Sequence, residues 1–203
     1  MMDRIKKTPD STLQYYEENA ESFIAGTIEA DMNDARQRFL KELPPKAYIL
    51  DFGCGSGRDT KAFLDAGYIV DAVDGSPELC RIASVYTGIQ VKEMLFQNLH
   101  AEKDFDGIWA CASILHLPKP ELSETIKKIV SALKAGGVLY TSFKYGTFEG
   151  MRNGRYFTDF TEDTLKVFWS DFPSLPIITT WLTQDVRTGR EEEQWINLLA
   201  RRV

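Results

Sequence analysis

Ile49-Leu50-Asp51-Phe52-Gly53-Cys54-Gly55-Ser56-Gly57-Arg58-Asp59 decides how the rest of the chain is read. A short apolar run stops at three alternating glycines, and a polar stretch of helical composition follows. That order predicts a strand, a tight turn and a helix. Glycine opens backbone angles closed to other residues and leaves bare main chain for a ligand to approach. In an open α/β sheet, a turn at this place lies at the carboxyl end of the first strand, where ligands bind. Alone, the glycine pattern is weak, because any sharp strand-to-helix turn uses it. Asp51, at the strand end, sharpens the reading. A carboxylate there repels a pyrophosphate and attracts a cation such as an ammonium group. Gly57 follows Gly55 by two residues, rather than the three of the dinucleotide fingerprint.

Outward from this turn, strand and helix signals alternate. Residues 47–52 form the first strand, and residues 59–66 a helix closed by Gly67. Residues 68–74 read as a second strand. Ser76 then caps a helix that has Pro77 at its first position. Residues 89–95 read as a third strand and 105–110 as a fourth. A helix over 120–133 ends at Ala135-Gly136-Gly137, and residues 138–143 make a fifth strand. Five strand-then-helix units imply a parallel sheet with helices on both faces, joined by right-handed crossovers. Residues 161–169 read as a helix with a Thr-x-x-Thr start, short of a strong capping box. Residues 177–184 and 194–200 read as strands joined through Arg187-Thr188-Gly189-Arg190, a hairpin closing one sheet edge. Upstream, residues 11–43 read as two helices, broken at Gly26-Thr27 and ended by Pro44-Pro45. The expected architecture is one α/β domain over residues 1–203. Residues 1–43 form an N-terminal helical cap and residues 44–203 a doubly wound, mostly parallel, seven-stranded core with a C-terminal antiparallel hairpin.

Composition narrows the function classes. The 203 residues are 43% hydrophobic and 27% charged, which suits a globular domain rather than a disordered chain. A net charge of −6 argues against a broad nucleic-acid footprint, while leaving room for a local basic patch. The longest apolar runs fall far short of the ~20 residues that span a bilayer. Residues 1–10 are polar, unlike a signal peptide. Cys54, Cys80 and Cys111 are isolated and odd in number, so neither a disulfide framework nor a cysteine metal site is expected. A reducing cytoplasm is the simplest setting.

Asp74 ends the second strand, at about the distance where an acid receives ribose hydroxyls. A solvated turn residue is the plainer alternative. Taken together, the motifs resemble the class I S-adenosylmethionine-dependent methyltransferases, whose fold is Rossmann-like. Residues 49–59 look like the first motif of that family. Val70-Asp71-Ala72-Val73-Asp74-Gly75-Ser76 resembles the second, whose acid holds the ribose. Phe96-Gln97-Asn98-Leu99 resembles the adenine-contacting segment, residues 105–117 the fourth strand and its loop, and residues 133–139 the turn into the fifth strand. The likeness covers residues 15–143. Residues 16–20 (Tyr-Glu-Glu-Asn-Ala) and Gly154-Arg155-Tyr156-Phe157-Thr158 resemble small bacterial methyltransferases related to tellurite-resistance proteins.

The resemblance implies S-adenosylmethionine as cofactor and a small-molecule methyl acceptor. The expected reaction is an in-line displacement that leaves S-adenosylhomocysteine. Tyr16 would sit on a helix closing over the cofactor, with Asp51, Gly53, Gly55, Gly57, Asp74 and Gly75 around it. Asn98 would face the adenine amino group through its side-chain carbonyl, and Leu99 a ring nitrogen through its backbone amide. Ala112 and Ser113 are small enough for the methionine portion to pass. His116 lies on the binding edge, where a neutral imidazole could take a proton from the acceptor; a structural histidine is the alternative. Residues 144–157 read as a long loop lining the acceptor pocket. Its basic Lys144, Arg152 and Arg155 suit an anionic acceptor, and its Tyr145 and Tyr156 could shield the methyl donor from water. Tyr145 and Arg155 join His116 as catalytic candidates, though a solvated loop has the same composition. No metal, nucleic acid or membrane is expected, and the chain would act as a monomer or homodimer. Two rival readings remain: a non-catalytic cofactor-binding sensor, and an NAD-dependent oxidoreductase, which the glycine spacing and Asp51 disfavour.

Overall fold

A computed structural model describes residues 9–187, 189–190 and 192–203. The polar segment 1–8 and Thr188 of the expected hairpin connection lie outside the described residues. Strands β1 (Tyr48–Phe52), β2 (Ile69–Asp74), β3 (Lys92–Glu93), β4 (Phe105–Ala110) and β5 (Leu133–Lys144) run parallel. Strands β8 (Ile177–Gln184) and β9 (Gln194–Arg201) complete the seven-stranded sheet as an antiparallel edge hairpin, in the order β3-β2-β1-β4-β5-β9-β8. The order reverses direction between β1 and β4. Their carboxyl ends therefore splay apart from a common crevice, the switch point of a doubly wound sheet.

Strand periodicity explains how both faces fill. Successive side chains point to opposite sides. Leu50, Phe52, Ile108 and Leu139 pack on one face with Leu122, Ile126 and Ile129 of α6 (Lys119–Ala132) and Leu165 of α7 (Glu162–Trp169). Ile49, Trp109, Val138 and Tyr140 pack on the other with Phe63 of α4 (Arg58–Asp65) and Phe39 of α3 (Asn33–Leu40). Burial on both faces is why β1 and β4 read as continuous apolar runs rather than alternating ones. Ser76 caps α5 (Pro77–Thr87) as expected, its hydroxyl accepting from the Leu79 amide.

Several local expectations change. The cap holds three helices, α1 (Pro9–Glu18), α2 (Ala20–Ala25) and α3, because Asn19 also interrupts the first stretch. The Asn19 side chain donates to the Tyr15 carbonyl at 2.8 Å, competing with the backbone as asparagine does. The third strand shrinks to two exposed residues. Its link to β4 is a 3-10 turn, Phe96–Asn98, rather than a helix. Helix α6 passes straight into β5, so Ala135, Gly136 and Gly137 lie within the strand rather than before it. The Thr-x-x-Thr start of α7 does form a capping box, since the Thr164 hydroxyl accepts from the Thr161 amide at 2.9 Å. A hydroxyl that both donates and accepts can fill that position without a carboxylate.

The expected loop 144–157 is instead a second, two-stranded sheet of β6 (Glu149–Arg152) and β7 (Arg155–Thr158). Its turn is Asn153-Gly154, with φ of +50 and +78. Asn-Gly tolerates two successive left-handed residues, as a two-residue hairpin turn requires. Strand β7 docks on α1, where the Tyr156 amide donates to the Thr12 hydroxyl at 3.0 Å. The hairpin thus closes over the carboxyl edge of the main sheet. Among the described residues, no helix is long and apolar enough to cross a membrane.

Candidate active site

All three glycines of the first turn have left-handed backbones, with φ of +86 at Gly53, +55 at Gly55 and +78 at Gly57. The amides of Gly53 and Cys54 both donate to the Val73 carbonyl at 2.9 Å, pinning the turn to the end of β2. A Cβ at Gly53 would stand 2.5 Å from the Ser113 Cβ, so the turn approaches the β4 loop as closely as bare backbone allows. Beside it, the Asp74 carboxylate takes the Gly55 amide at 2.9 Å on one oxygen and the Ser76 amide at 3.0 Å on the other. Each oxygen keeps a lone pair for a further donor. Burial raises the Asp74 carboxyl above its usual range, opposed by those amides.

The turn forms one wall of a cavity of about 230 Å³ at the switch point. Asp51 and Asp59 both reach it, with opposite electrostatics. Asp59 is buried, which would raise it, but Arg58 and Arg36 hold it below the usual carboxylate range. It accepts from Arg36 Nη1 at 2.7 Å, Arg58 Nη2 at 2.6 Å and Trp109 Nε1 at 3.0 Å. Asp59 is therefore a saturated anchor that ties cap helix α3 to α4 and β4. Asp51 is only 2% exposed, and the Thr60 hydroxyl donates to it at 2.5 Å. Burial and the nearby Asp59 charge push its carboxyl up to about 8. A cation brought into the cavity would find in Asp51 an acid short of positive neighbours.

Beyond Asp74 the wall turns apolar, with Leu13, Leu79, Met94, Leu95 and Phe96 around Gln97. That is a slot suited to a flat heteroaromatic ring. Toward β4, Ala112 adopts φ +49, and its amide donates to the Ser142 hydroxyl at 2.9 Å. The far wall comes from the cap and the second sheet. His116 Nδ1 lies 2.6 Å from the Tyr156 carbonyl, which can only accept, so the proton sits on Nδ1. Nε2 is then an acceptor and takes the Tyr16 hydroxyl at 2.8 Å. The Tyr16 oxygen in turn accepts from Arg155 Nη1 at 3.3 Å. Burial lowers His116 to about 4, keeping the imidazole neutral. Burial also raises Tyr16, despite the Arg155 charge.

Of the expected site residues, Tyr16, Asp51, Gly53, Gly55, Asp74, Gly75, Ala112, His116 and Arg155 meet on this one cavity. Gly57, Asn98, Leu99 and Tyr145 do not. A Cβ at Gly57 would fall 2.8 Å from Thr87 and 3.2 Å from Ala83, so this glycine serves the packing of α4 on α5. Asn98 is exposed and Leu99 is buried in the core. The 3-10 turn brings Leu95, Phe96 and Gln97 to the cavity in their place. Tyr145 is 39% exposed and lines a neighbouring polar cavity. Sequence reasoning missed Phe23, whose ring abuts Gly55 and meets Tyr16 edge-on at 5.0 Å. It also missed Asp185, which accepts from Trp195 Nε1 at 3.0 Å and pairs with Lys144 at 3.2 Å. No local motif marks either one. Cys54 lines the cavity, and burial holds its thiol well above the ordinary range, which leaves it unreactive.

Residues 49–137 match the model of a family described as a methyltransferase domain. A ubiquinone biosynthesis O-methyltransferase of Xanthomonas axonopodis pv. citri (strain 306) is 34% identical over 106 residues, 49% of this chain and 44% of that protein. The match thus spans less than half of the relative's length. Burkholderia thailandensis 1,6-didemethyltoxoflavin-N1-methyltransferase, solved with 1,6-didemethyltoxoflavin and S-adenosylhomocysteine bound, superposes with a TM-score of 0.73 at 22% identity over 94% of this chain and 85% of that one. A TehB-like methyltransferase from Corynebacterium glutamicum ATCC 13032 Kitasato superposes with a TM-score of 0.66 at 21% identity over 94% of this chain and 98% of that one. At such identities the two structures establish the fold, and the matched domain covers the glycine turn, Asp51, Asp74 and the β4 loop. Over residues 49–137 the chain is thus similar to a methyltransferase domain, and the whole described fold is that of the methyltransferases it superposes on.

Proposed function

We propose that the chain transfers a methyl group from S-adenosylmethionine to a small-molecule acceptor. One observation carries this reading: a bare glycine turn flanked by two acids, the buried Asp51 and the half-buried Asp74, on the wall of a single cavity. Asp74 offers its remaining lone pairs to two ribose hydroxyls. Asp51 faces the ammonium group, Leu95 to Gln97 enclose the adenine, and Ala112 leaves room for the methionine chain. Tyr16 and Phe23 close the site from the cap. When bound, the cofactor supplies a methyl group on a positive sulfur that an in-line nucleophile displaces. The protein's own contribution is orientation and a dry wall, an effect worth several kcal/mol, up to about 7–11 in favourable systems. His116 already has its Nε2 lone pair filled by Tyr16, so a proton leaving the acceptor reaches it through the Tyr16 hydroxyl. A thiolate or metalloid oxyanion needs no base.

The relative that acts in ubiquinone biosynthesis and the Burkholderia neighbour with 1,6-didemethyltoxoflavin bound both support a small-molecule acceptor. Within the family, we assign the chain to the small bacterial methyltransferases related to tellurite-resistance proteins. Residues 16–20 and 154–158 support this, and they touch through Tyr16 and Arg155. In this reading the chain is one domain that works in the cytoplasm as a monomer or homodimer. Equilibrium binding of S-adenosylmethionine, S-adenosylhomocysteine and NAD, followed by turnover across acceptor classes read as S-adenosylhomocysteine formed, tests it. Tight NAD binding without S-adenosylmethionine binding would overturn it. Cofactor binding with sustained absence of product would favour a sensor.

A further inference from the structure

A second cavity, of about 350 Å³, adjoins the first behind the β6–β7 hairpin. The two share Lys144, Arg155, Phe157 and Arg190, three cations and one aromatic ring. Among the described residues, few buried side-chain polar atoms lack a hydrogen-bond partner, and two belong to residues lining this second cavity: Arg155 Nε, a donor, and Asp159 Oδ1, an acceptor.

Their neighbours show why each is incomplete. The Arg155 guanidinium lies 4.5 Å from the Tyr15 ring centre and 5.2 Å from that of Phe157. Among the described residues its one side-chain hydrogen bond goes to Tyr16, and no carboxylate pairs with it. By contrast, Lys144 is paired with Asp185 and Glu193, Arg152 with Asp159, and Arg190 with Glu193. Asp159 is 6% exposed, and its Oδ2 takes Arg152 Nη2 at 2.6 Å while Oδ1 takes nothing. A buried polar atom without a partner is costly, so an unpaired donor and an unpaired acceptor on two residues that line one cavity point to a ligand that completes both on binding.

We propose that this cavity holds the polar end of the methyl acceptor, and that the acceptor is a small organic acid bearing an N–H or O–H donor. Its anionic oxygens bind the planar edge of Arg155, a geometry to which guanidinium is matched. Its donor reaches Asp159 Oδ1. The methyl-accepting atom then lies across the shared wall, on the side of Tyr16 and His116. The inference rests on the methyl-transfer reading above.

The test uses the full chain saturated with S-adenosylhomocysteine and ligand-observed NMR. The probes are matched pairs of aromatic amino and hydroxy acids and their neutral primary amides. The acids should bind at least about tenfold more tightly than the amides. Arg155→Met should remove that preference, and Arg155→Lys should restore part of it. Asp159→Asn should weaken donor-bearing acids more than acids lacking a donor. An unchanged unfolding midpoint controls for folding, and every titration is run with S-adenosylhomocysteine at a concentration that saturates the variant. Equal binding of acids and amides, acid binding insensitive to Arg155, or no probe bound at about 1 mM would overturn the proposal. Tellurite competes in a separate arm; if it displaces the acids through Arg155 and donor-bearing acids gain nothing, the acceptor is an inorganic oxyanion and the organic assignment fails. Failure to bind S-adenosylhomocysteine itself would instead defeat the methyl-transfer reading, and this one with it.

Discussion

Asp51 makes cofactor binding a proton-releasing event. Its carboxyl is pushed up to about 8 by burial and by the neighbouring Asp59 charge, with only the Thr60 hydroxyl and Arg58 pulling the other way. Below that pH the group is mostly neutral. An ammonium group entering the cavity needs the carboxylate, so binding must expel one proton. Affinity then climbs about tenfold per pH unit, or about 1.4 kcal/mol, until the carboxyl ionises unaided. Between about pH 6 and pH 8 the gain should be about 50-fold, and above pH 8 it should flatten. The unliganded protein has the opposite slope from the same group. A folded carboxyl raised above its model value of 3.8 stabilises the native state at low pH, and that contribution is lost as pH rises through about 8. Calorimetric titration with S-adenosylhomocysteine is the assay, because this product keeps the ammonium group and lacks the sulfonium charge. Repeating each titration in two buffers of different ionisation enthalpy counts the protons released, which should be near one at pH 6 to 7. Asp51→Asn should bind more weakly at pH 8 and show no pH dependence. A wild-type dissociation constant equal at pH 6 and pH 8, with no buffer-dependent heat, would refute the reasoning.

Three further outcomes follow from the same contacts. Asp74→Ala removes two ribose acceptors and should weaken S-adenosylhomocysteine binding by about 1.5–3 kcal/mol or more; it also strands the Gly55 and Ser76 amides, so chemical denaturation should show a stability loss as well. Asp59→Ala leaves Arg36, Arg58 and Trp109 Nε1 without their shared acceptor and should cost about 3–5 kcal/mol, with hydrogen exchange rising first in α3; unchanged protection there would contradict the anchor role. His116, lowered to about 4, should contribute stability that is complete above its ordinary value of 6.5 and lost as pH falls toward 4. Denaturation midpoints of wild type and His116→Asn at pH 7 and pH 5 measure it, and an equal pH response in the two would rule it out.

The main sheet was legible in the chain because its signals are local. Apolar runs of strand length, glycines after them and a capped helix next each bias the backbone over a few residues, and their alternation leaves one parallel arrangement. Asp51, the glycine turn and Asp74 were legible for the same reason, since strand ends in such a sheet must meet at one crevice. Asn98 and Leu99 fall outside the cavity because the 3-10 turn after β3 brings Leu95, Phe96 and Gln97 to it, a turn that no local signal in the sequence marks. Asn153-Gly154 is a hairpin signal in the sequence, but the charged residues around it mark no strands. Tyr145 and Arg155 had equal claims on composition, and the pairing of β6 with β7 decided between them by turning Arg155 toward Tyr16.

What the sequence determined alone was the path of the backbone and the acids at its strand ends, because both follow from short-range propensity and spacing. What only the tertiary structure decided was the chemical state of those groups and who meets whom. Tyr16 and His116 stand a hundred residues apart and share a proton at 2.8 Å. Asp51 and Asp59 carry the same side chain, yet one is raised by burial and the other held charged by two arginines. Burial and long-range contact set those states, and neither is written in any short stretch of chain.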